Sequence, residues 1–163
     1  MVAKLIMFKC VTFHPNSAYT FTGSSDTTCR MWDINRGGSV RLFTGHQGAI
    51  NCVRVSPDGK TVATAGEDSV IILWDLGSGK RIKTMEGHGK TSIYSLAFSQ
   101  EGSVLVSGAA DNTVRLWDVK MGADSESDLD SERFKPQLKA DLNLTDSSVL
   151  GNIKDGSSQV KAR

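Results

Sequence analysis

The chain has 163 residues, a hydrophobic fraction of 39%, a charged fraction of 23% and a formal net charge of +1, the profile of one soluble globular domain. So small a net charge argues against a dedicated nucleic-acid binder, which carries a basic excess. No apolar run approaches the ~18 residues of a membrane span. The N-terminal stretch Leu5 to Phe8 is too short for a signal-peptide core and is closed by Lys9, so a soluble, intracellular protein is expected.

Cys10, Cys29 and Cys52 are odd in number and show no Cys-x-x-Cys spacing. They fit neither a disulfide framework nor a zinc site and read as small buried thiols. His14 precedes Pro15 and reads as a turn histidine. With His46 and His88 it makes no metal-ligand spacing. No cofactor is implied.

From Phe21 onward the sequence repeats itself. Trp32-Asp33, Trp74-Asp75 and Trp117-Asp118 are spaced by 42 and 43 residues, with Asp26, Asp68 and Asp111 six positions before each tryptophan. Thr22, Thr64 and Ser107 stand four positions before those aspartates. Gly45-His46 and Gly87-His88 recur 42 apart. Counted back by the same period, the first repeat's glycine and histidine fall on Ala3 and Lys4, so that repeat lacks its histidine.

The second repeat shows the local structure best. Ala49 to Val55 alternates toward an apolar face and predicts a strand. Ser56-Pro57-Asp58-Gly59 is turn chemistry, and Lys60 to Ala65 is the next strand. Gly66 to Ser69 turns it back into Val70 to Trp74, a nearly unbroken apolar run suited to a strand covered on both faces. A turn at 76–80 leads to a fourth strand, Arg81 to Met85. Four short antiparallel strands per repeat of this period make one blade of a β-propeller.

The marked polar residues suit a buried chain of hydrogen bonds. A tryptophan N–H can donate to a hydroxyl, the hydroxyl to one imidazole nitrogen, and a carboxylate can orient the other. His46, Thr64, Asp68 and Trp74 are expected to form such a set, as are His88, Ser107, Asp111 and Trp117. Thr22, Asp26 and Trp32 are the counterparts in the first repeat. Serine, histidine and aspartate are also the residue types of a catalytic triad. Their repetition in successive blades, each tied down by a tryptophan inside a strand layer, favours a structural role. Gly87-His88-Gly89-Lys90-Thr91 is similar to the end of a phosphate-binding loop, but Thr84 stands where that motif needs glycine and a strand follows. A turn at a blade junction is expected there.

After Val119 the pattern stops. Residues 122–132 carry five acids and no base, and 133–163 is polar and basic-leaning, so residues 120–163 are expected to be disordered. An acidic contact segment around Ser125 and Ser127 is the alternative reading. The expected organisation is an atypical N-terminus at 1–7, an incomplete repeat at 8–44, a full repeat at 45–86, and a third at 87–119 with no clear fourth strand. The fold class is therefore all-β, a partial β-propeller of about three four-stranded blades. Three blades cannot close a ring, and the chain is expected to be the interior or late part of a longer propeller.

The Gly-His and Trp-Asp markers at this period identify the chain as resembling the WD-repeat family over roughly residues 8–120. Within that family, Phe13-His14-Pro15-Asn16, the string from Thr20 to Asp33, Ser39 to His46, and Gly87-His88-Gly89-Lys90 with Ile93-Tyr94-Ser95-Leu96 resemble the TBP-associated factors shared by TFIID and SAGA. The resemblance implies a non-enzymatic nuclear scaffold in RNA polymerase II initiation, with histone-fold TBP-associated factors and other TFIID/SAGA subunits as partners. It implies no membrane and no sequence-specific nucleic acid contact. The alternative is a WD-repeat adaptor such as a ubiquitin-ligase substrate receptor. Many of those carry arginine two residues after Trp-Asp, where this chain has Asn35, Gly77 and Lys120.

Overall fold

The structure, a computed structural model, describes residues 7–120 and the backbone of two strands within 153–161. It is built from strands alone. In chain order they are β1 (Phe8–Phe13), β2 (Tyr19–Ser24), β3 (Thr28–Asp33), β4 (Gly38–Thr44), β5 (Ile50–Val55), β6 (Thr61–Gly66), β7 (Val70–Asp75), β8 (Arg81–Glu86), β9 (Ile93–Phe98), β10 (Val104–Ala109), β11 (Thr113–Asp118), β12 (Ile153–Lys154) and β13 (Ser157–Lys161). They form three antiparallel sheets, β1-β2-β3-β4, β5-β6-β7-β8 and β9-β10-β11-β13-β12. The innermost strands β1, β5 and β9 lie side by side. This is the partial propeller the repeat implies, one sheet per blade.

The tail holds a difference from the sequence reading. β13 runs antiparallel to β11, with Val114 opposite Val160 and Leu116 opposite Ser158. It takes the fourth-strand place that the sequence left unassigned in blade three. The expectation of disorder over 120–163 is corrected at these two strands and at Lys120, which belongs to the described residues. Elsewhere it falls on 121–152, 155–156 and 162–163, outside the described residues, as does the acidic segment. The physical reason is that β11 offers a row of unpaired backbone donors and acceptors on that side. Backbone pairing needs no particular side-chain pattern, so a polar segment can supply it without an alternating signature.

The core lies between blades. Phe21, Cys29 and Phe43 of blade one pack on Ile50, Val53, Val62, Ile72 and Trp74 of blade two, with the Phe43 and Trp74 rings 5.6 Å apart. Blade two turns Cys52, Ala63, Ala65, Ile71, Leu73 and Met85 toward Ile93, Leu96, Leu105 and Trp117 of blade three. Ile71 and Ile72 therefore point to opposite neighbours. That is why Val70 to Leu73 reads as an unbroken apolar run, since side chains alternate along a strand and both faces of this one are covered. Each such side chain contributes roughly 1.5–3 kcal/mol of burial.

Turns stack along one rim. His14 Nε2 donates to the Gly59 carbonyl at 2.9 Å, while its Nδ1 accepts the Asn16 N–H at 3.2 Å. The same turn one blade on places Pro57 against Gly102. His14 is thus a turn histidine as expected, but one that ties two blades together. On the same rim Arg41 reaches the Leu76 carbonyl at 2.6 Å. Nearer the opposite rim Lys9 bridges to Glu67 at 2.5 Å.

Candidate functional site

The residues marked by the repeat converge at the blade junctions. In blade two, Trp74 Nε1 donates to Thr64 Oγ1 at 2.9 Å, and Thr64 Oγ1 lies 2.7 Å from His46 Nε2. His46 Nδ1 lies 2.7 Å from Asp68 Oδ2, which also accepts the Gln47 N–H at 2.9 Å. A proton on His46 Nδ1, donated to Asp68, leaves Nε2 to accept the Thr64 hydroxyl and satisfies every group in the set. Blade three repeats the arrangement. Trp117 Nε1 to Ser107 Oγ is 2.8 Å, Ser107 Oγ to His88 Nε2 is 2.7 Å, and His88 Nδ1 to Asp111 Oδ2 is 2.9 Å. There Asp111 gains a further donor in the Thr113 hydroxyl at 2.7 Å.

Blade one differs as its missing histidine implies. Trp32 Nε1 still donates to Thr22 Oγ1 at 2.9 Å. Asp26, with no imidazole among the described residues to hold, accepts the Thr28 N–H at 2.9 Å and the Thr28 hydroxyl at 2.6 Å. Thr22 and Asp26 are not brought together.

Burial decides what these groups can do. Thr64 and Ser107 are fully buried, and His46 and His88 nearly so. Burial pushes the Asp68 carboxyl up, but the bonds from His46, Gln47 and Val70 outweigh it and hold it below the usual carboxylate range. Asp111 follows the same balance, burial against Thr113 and His88. Both nitrogens of each imidazole and the hydroxyl between it and the tryptophan are engaged, so neither of these two sets presents a free nucleophile. A polar set this enclosed fixes one packing when every member is paired.

Sequence reasoning did not foresee why glycine precedes each histidine. A Cβ on Gly87 would come within 2.7 Å of the Trp117 ring, and one on Gly45 within 3.1 Å of the Trp74 ring. The tryptophan lies on bare backbone beside the histidine it is linked to. Also missed was the second half of Trp-Asp. Asp33 Oδ1 accepts the Asn35 and Arg36 N–H groups, and Asp75 Oδ1 takes the Ser78 N–H and hydroxyl, so these aspartates close the turn that follows. The third unforeseen feature is backbone: Thr27, Ser69 and Asn112, each just after the network aspartate, have φ of 74°, 66° and 60°.

His88 to Thr91 forms a turn rather than a phosphate cradle, with the Thr91 hydroxyl donating to the His88 carbonyl at 2.7 Å. Among the described residues no group of three histidine, cysteine, aspartate or glutamate side chains is placed to hold a metal ion, and no helix is long and apolar enough to cross a membrane. Burial raises all three thiols, Cys10 to about 11 and Cys29 and Cys52 also above the ordinary value.

Comparison with known proteins matches residues 8–33, 37–75 and 79–118 to the family described as WD domain, G-beta repeat. The matched units straddle the sheets, the second running from β4 of one blade through β7 of the next. A stretch of 41 residues is 44% identical to Transcription initiation factor TFIID subunit 5 of Caenorhabditis elegans, covering 25% of this chain and 6% of that protein. An F-box protein of Saccharomyces cerevisiae is 46% identical over 41 residues, 25% of this chain and 6% of that one. The chain thus spans a small fraction of these relatives. Among solved structures, that of U3-55K superposes with a TM-score of 0.68 at 23% identity, over 72% of this chain and 38% of the other. The RRP9 WD40 repeats give 0.68 at 24%, over 72% and 37%.

Proposed function

The chain belongs to the WD-repeat family, and from that premise we propose that it is a non-enzymatic scaffold of the TFIID/SAGA kind, acting in the nucleus in RNA polymerase II initiation. A protein-interaction scaffold is what the repeats themselves imply. The finer reading rests on the longer strings of blades one to three and on the 44% identity over 41 residues to a TFIID subunit. The marked histidines, hydroxyls and aspartates enter as the parts that hold the blades in register. Their tethering to tryptophan inside strand layers supports a rigid display surface over a catalytic centre.

One observation favours a second reading, a substrate receptor of a ubiquitin ligase: the 46% identity over 41 residues to an F-box protein. Against it stand Asn35, Gly77 and Lys120 two residues after each Trp-Asp. Affinity purification of the full chain from nuclear extract, with the recovered proteins identified by mass, separates the two. TBP-associated factors with histone folds are expected. Recovery of a cullin adaptor would favour the second reading, and recovery of neither set would reject both.

A further inference from the structure

The junction between blades one and two carries a cleft that the polar sets do not use. It lies on the rim where the Trp-Asp turns close and has a volume of about 720 Å³, within the ~300–1,000 Å³ of clefts that hold a ligand. One wall is blade one, from His14 to Arg41, and the other is the turns of blade two around Gly59 and Gly77. Both walls are therefore inside the described series. The floor is apolar. Tyr19, Met31 and Leu76 are partly buried and pack on the core between the two blades, and the exposed Val40 stands beside them.

Three cations line the cleft: Arg36, Arg41 and Lys60. Arg41 is fixed by the carbonyls of Leu76 and Gly77 at 2.6 and 3.2 Å, acceptors that leave its charge in place. The Arg36 side chain is 84% exposed and lies 3.9 Å from Asp33. Lys60 is exposed. The carboxylates of the lining are Asp33 and Asp75, and each holds the turn that follows it with one oxygen. Three cations against two carboxylates leave the cleft positive above an apolar floor.

The repeat shows that the fold does not require these residues. One blade on, the counterparts of Arg36 and Lys60 are Ser78 and Ser103, and that of Tyr19 is Thr61. Asp33 and Asp75 recur there as Asp75 and Asp118. Met31 is partly exposed where its counterpart Leu73 is fully buried. The aspartates thus belong to every blade, whereas the added cations, the tyrosine and the uncovered methionine distinguish this junction.

We propose that the cleft docks an acidic linear segment of a partner protein. An apolar side chain of the segment rests on Met31, Val40 and Leu76, and its acidic neighbours meet Arg36 and Lys60. Charge complementarity selects the sign of the partner, and the apolar floor calls for a side chain that a bare anion lacks. A nucleic acid backbone would need an extended run of cations, and Asp33 and Asp75 interrupt one here. The proposal rests on the reading of the chain as an interaction scaffold, but on no particular complex.

Panning a display library of random short peptides against the full chain tests this. Enriched peptides are expected to place aspartate or glutamate beside leucine, isoleucine or valine. Fluorescence anisotropy with such a peptide should show binding weakened roughly tenfold in the double variant Arg36→Ser, Lys60→Ser. That variant installs the residues the next blade carries and should keep its far-UV spectrum. Lys90→Ser, at an exposed cation outside the cleft, should leave binding unchanged, and added salt should weaken the unaltered complex. No enrichment, enriched peptides without acidic residues, or acidic peptides that bind the double variant as tightly as the parent would overturn the proposal. Peptides held at another surface would reject the cleft and leave the scaffold reading standing, which the purification from nuclear extract decides separately.

Discussion

Replacing Thr64 by valine keeps the shape of the side chain and deletes one hydroxyl. In blade two that hydroxyl accepts from Trp74 Nε1 at 2.9 Å and meets His46 Nε2 at 2.7 Å, and its own residue is 0% exposed. The substitution orphans two buried polar groups that water cannot reach. Each unsatisfied group costs about 1–3 kcal/mol, so a loss of roughly 2–6 kcal/mol is expected. That is a large share of the ~5–15 kcal/mol that holds a typical domain folded. The control lies within the same chain. Thr22→Val removes the equivalent hydroxyl from Trp32, but blade one has no histidine there and the site is only partly buried. The tryptophan N–H can turn to water, and about 0.5–1.5 kcal/mol is expected. Urea unfolding followed by tryptophan fluorescence, with midpoint and slope read separately, measures both. If Thr64→Val costs no more than Thr22→Val, the polar sets do not hold the blades as described.

Thr27 has φ of 74°, a conformation that costs a β-branched residue about 1–2 kcal/mol and that asparagine tolerates better. Thr27→Asn, the residue blade three already carries at Asn112, should raise stability by up to about 1 kcal/mol, and a lowered melting temperature would contradict this. Asp68 and Asp111 sit below the ordinary carboxylate range when folded, so the stability they add is complete above about pH 4 and is lost as pH falls through their folded values. Asp68→Asn should flatten the acid limb of a stability-versus-pH curve, and a limb as steep as before would count against the bonds to His46 and Gln47. Burial keeps Cys10, Cys29 and Cys52 as thiols, so a thiol reagent at neutral pH should label the native protein slowly and the urea-unfolded protein fully. Rapid labelling of the folded chain would show that these sites open.

Much of the site was legible because the repeat copies it. Each tryptophan, hydroxyl and aspartate could be paired by position, and the converging distances at His46 and His88 follow from that spacing. What the copies could not supply was the partner across the blade boundary. The bond from His14 to Gly59 and that from Arg41 to Leu76 join different repeats, and no spacing within one repeat points to them. The left-handed backbone at Thr27 and Ser69 was hidden for another reason. Neither residue is glycine or asparagine, so turn chemistry left no sign.

The sequence alone determined the strands, their period and the polar residues each blade shares, because alternation, turn chemistry and hydrogen-bonding capacity are local properties that a repeat multiplies. Only the tertiary structure decided which face of each sheet is covered, and by what. Val11 and Val53 are the same residue at the same register, yet one is 62% exposed and the other 0%. Burial belongs to the neighbour as much as to the residue. The fourth strand of blade three was settled the same way, since Ser157 to Lys161 becomes a strand by pairing its backbone with β11, a contact its side chains do not announce.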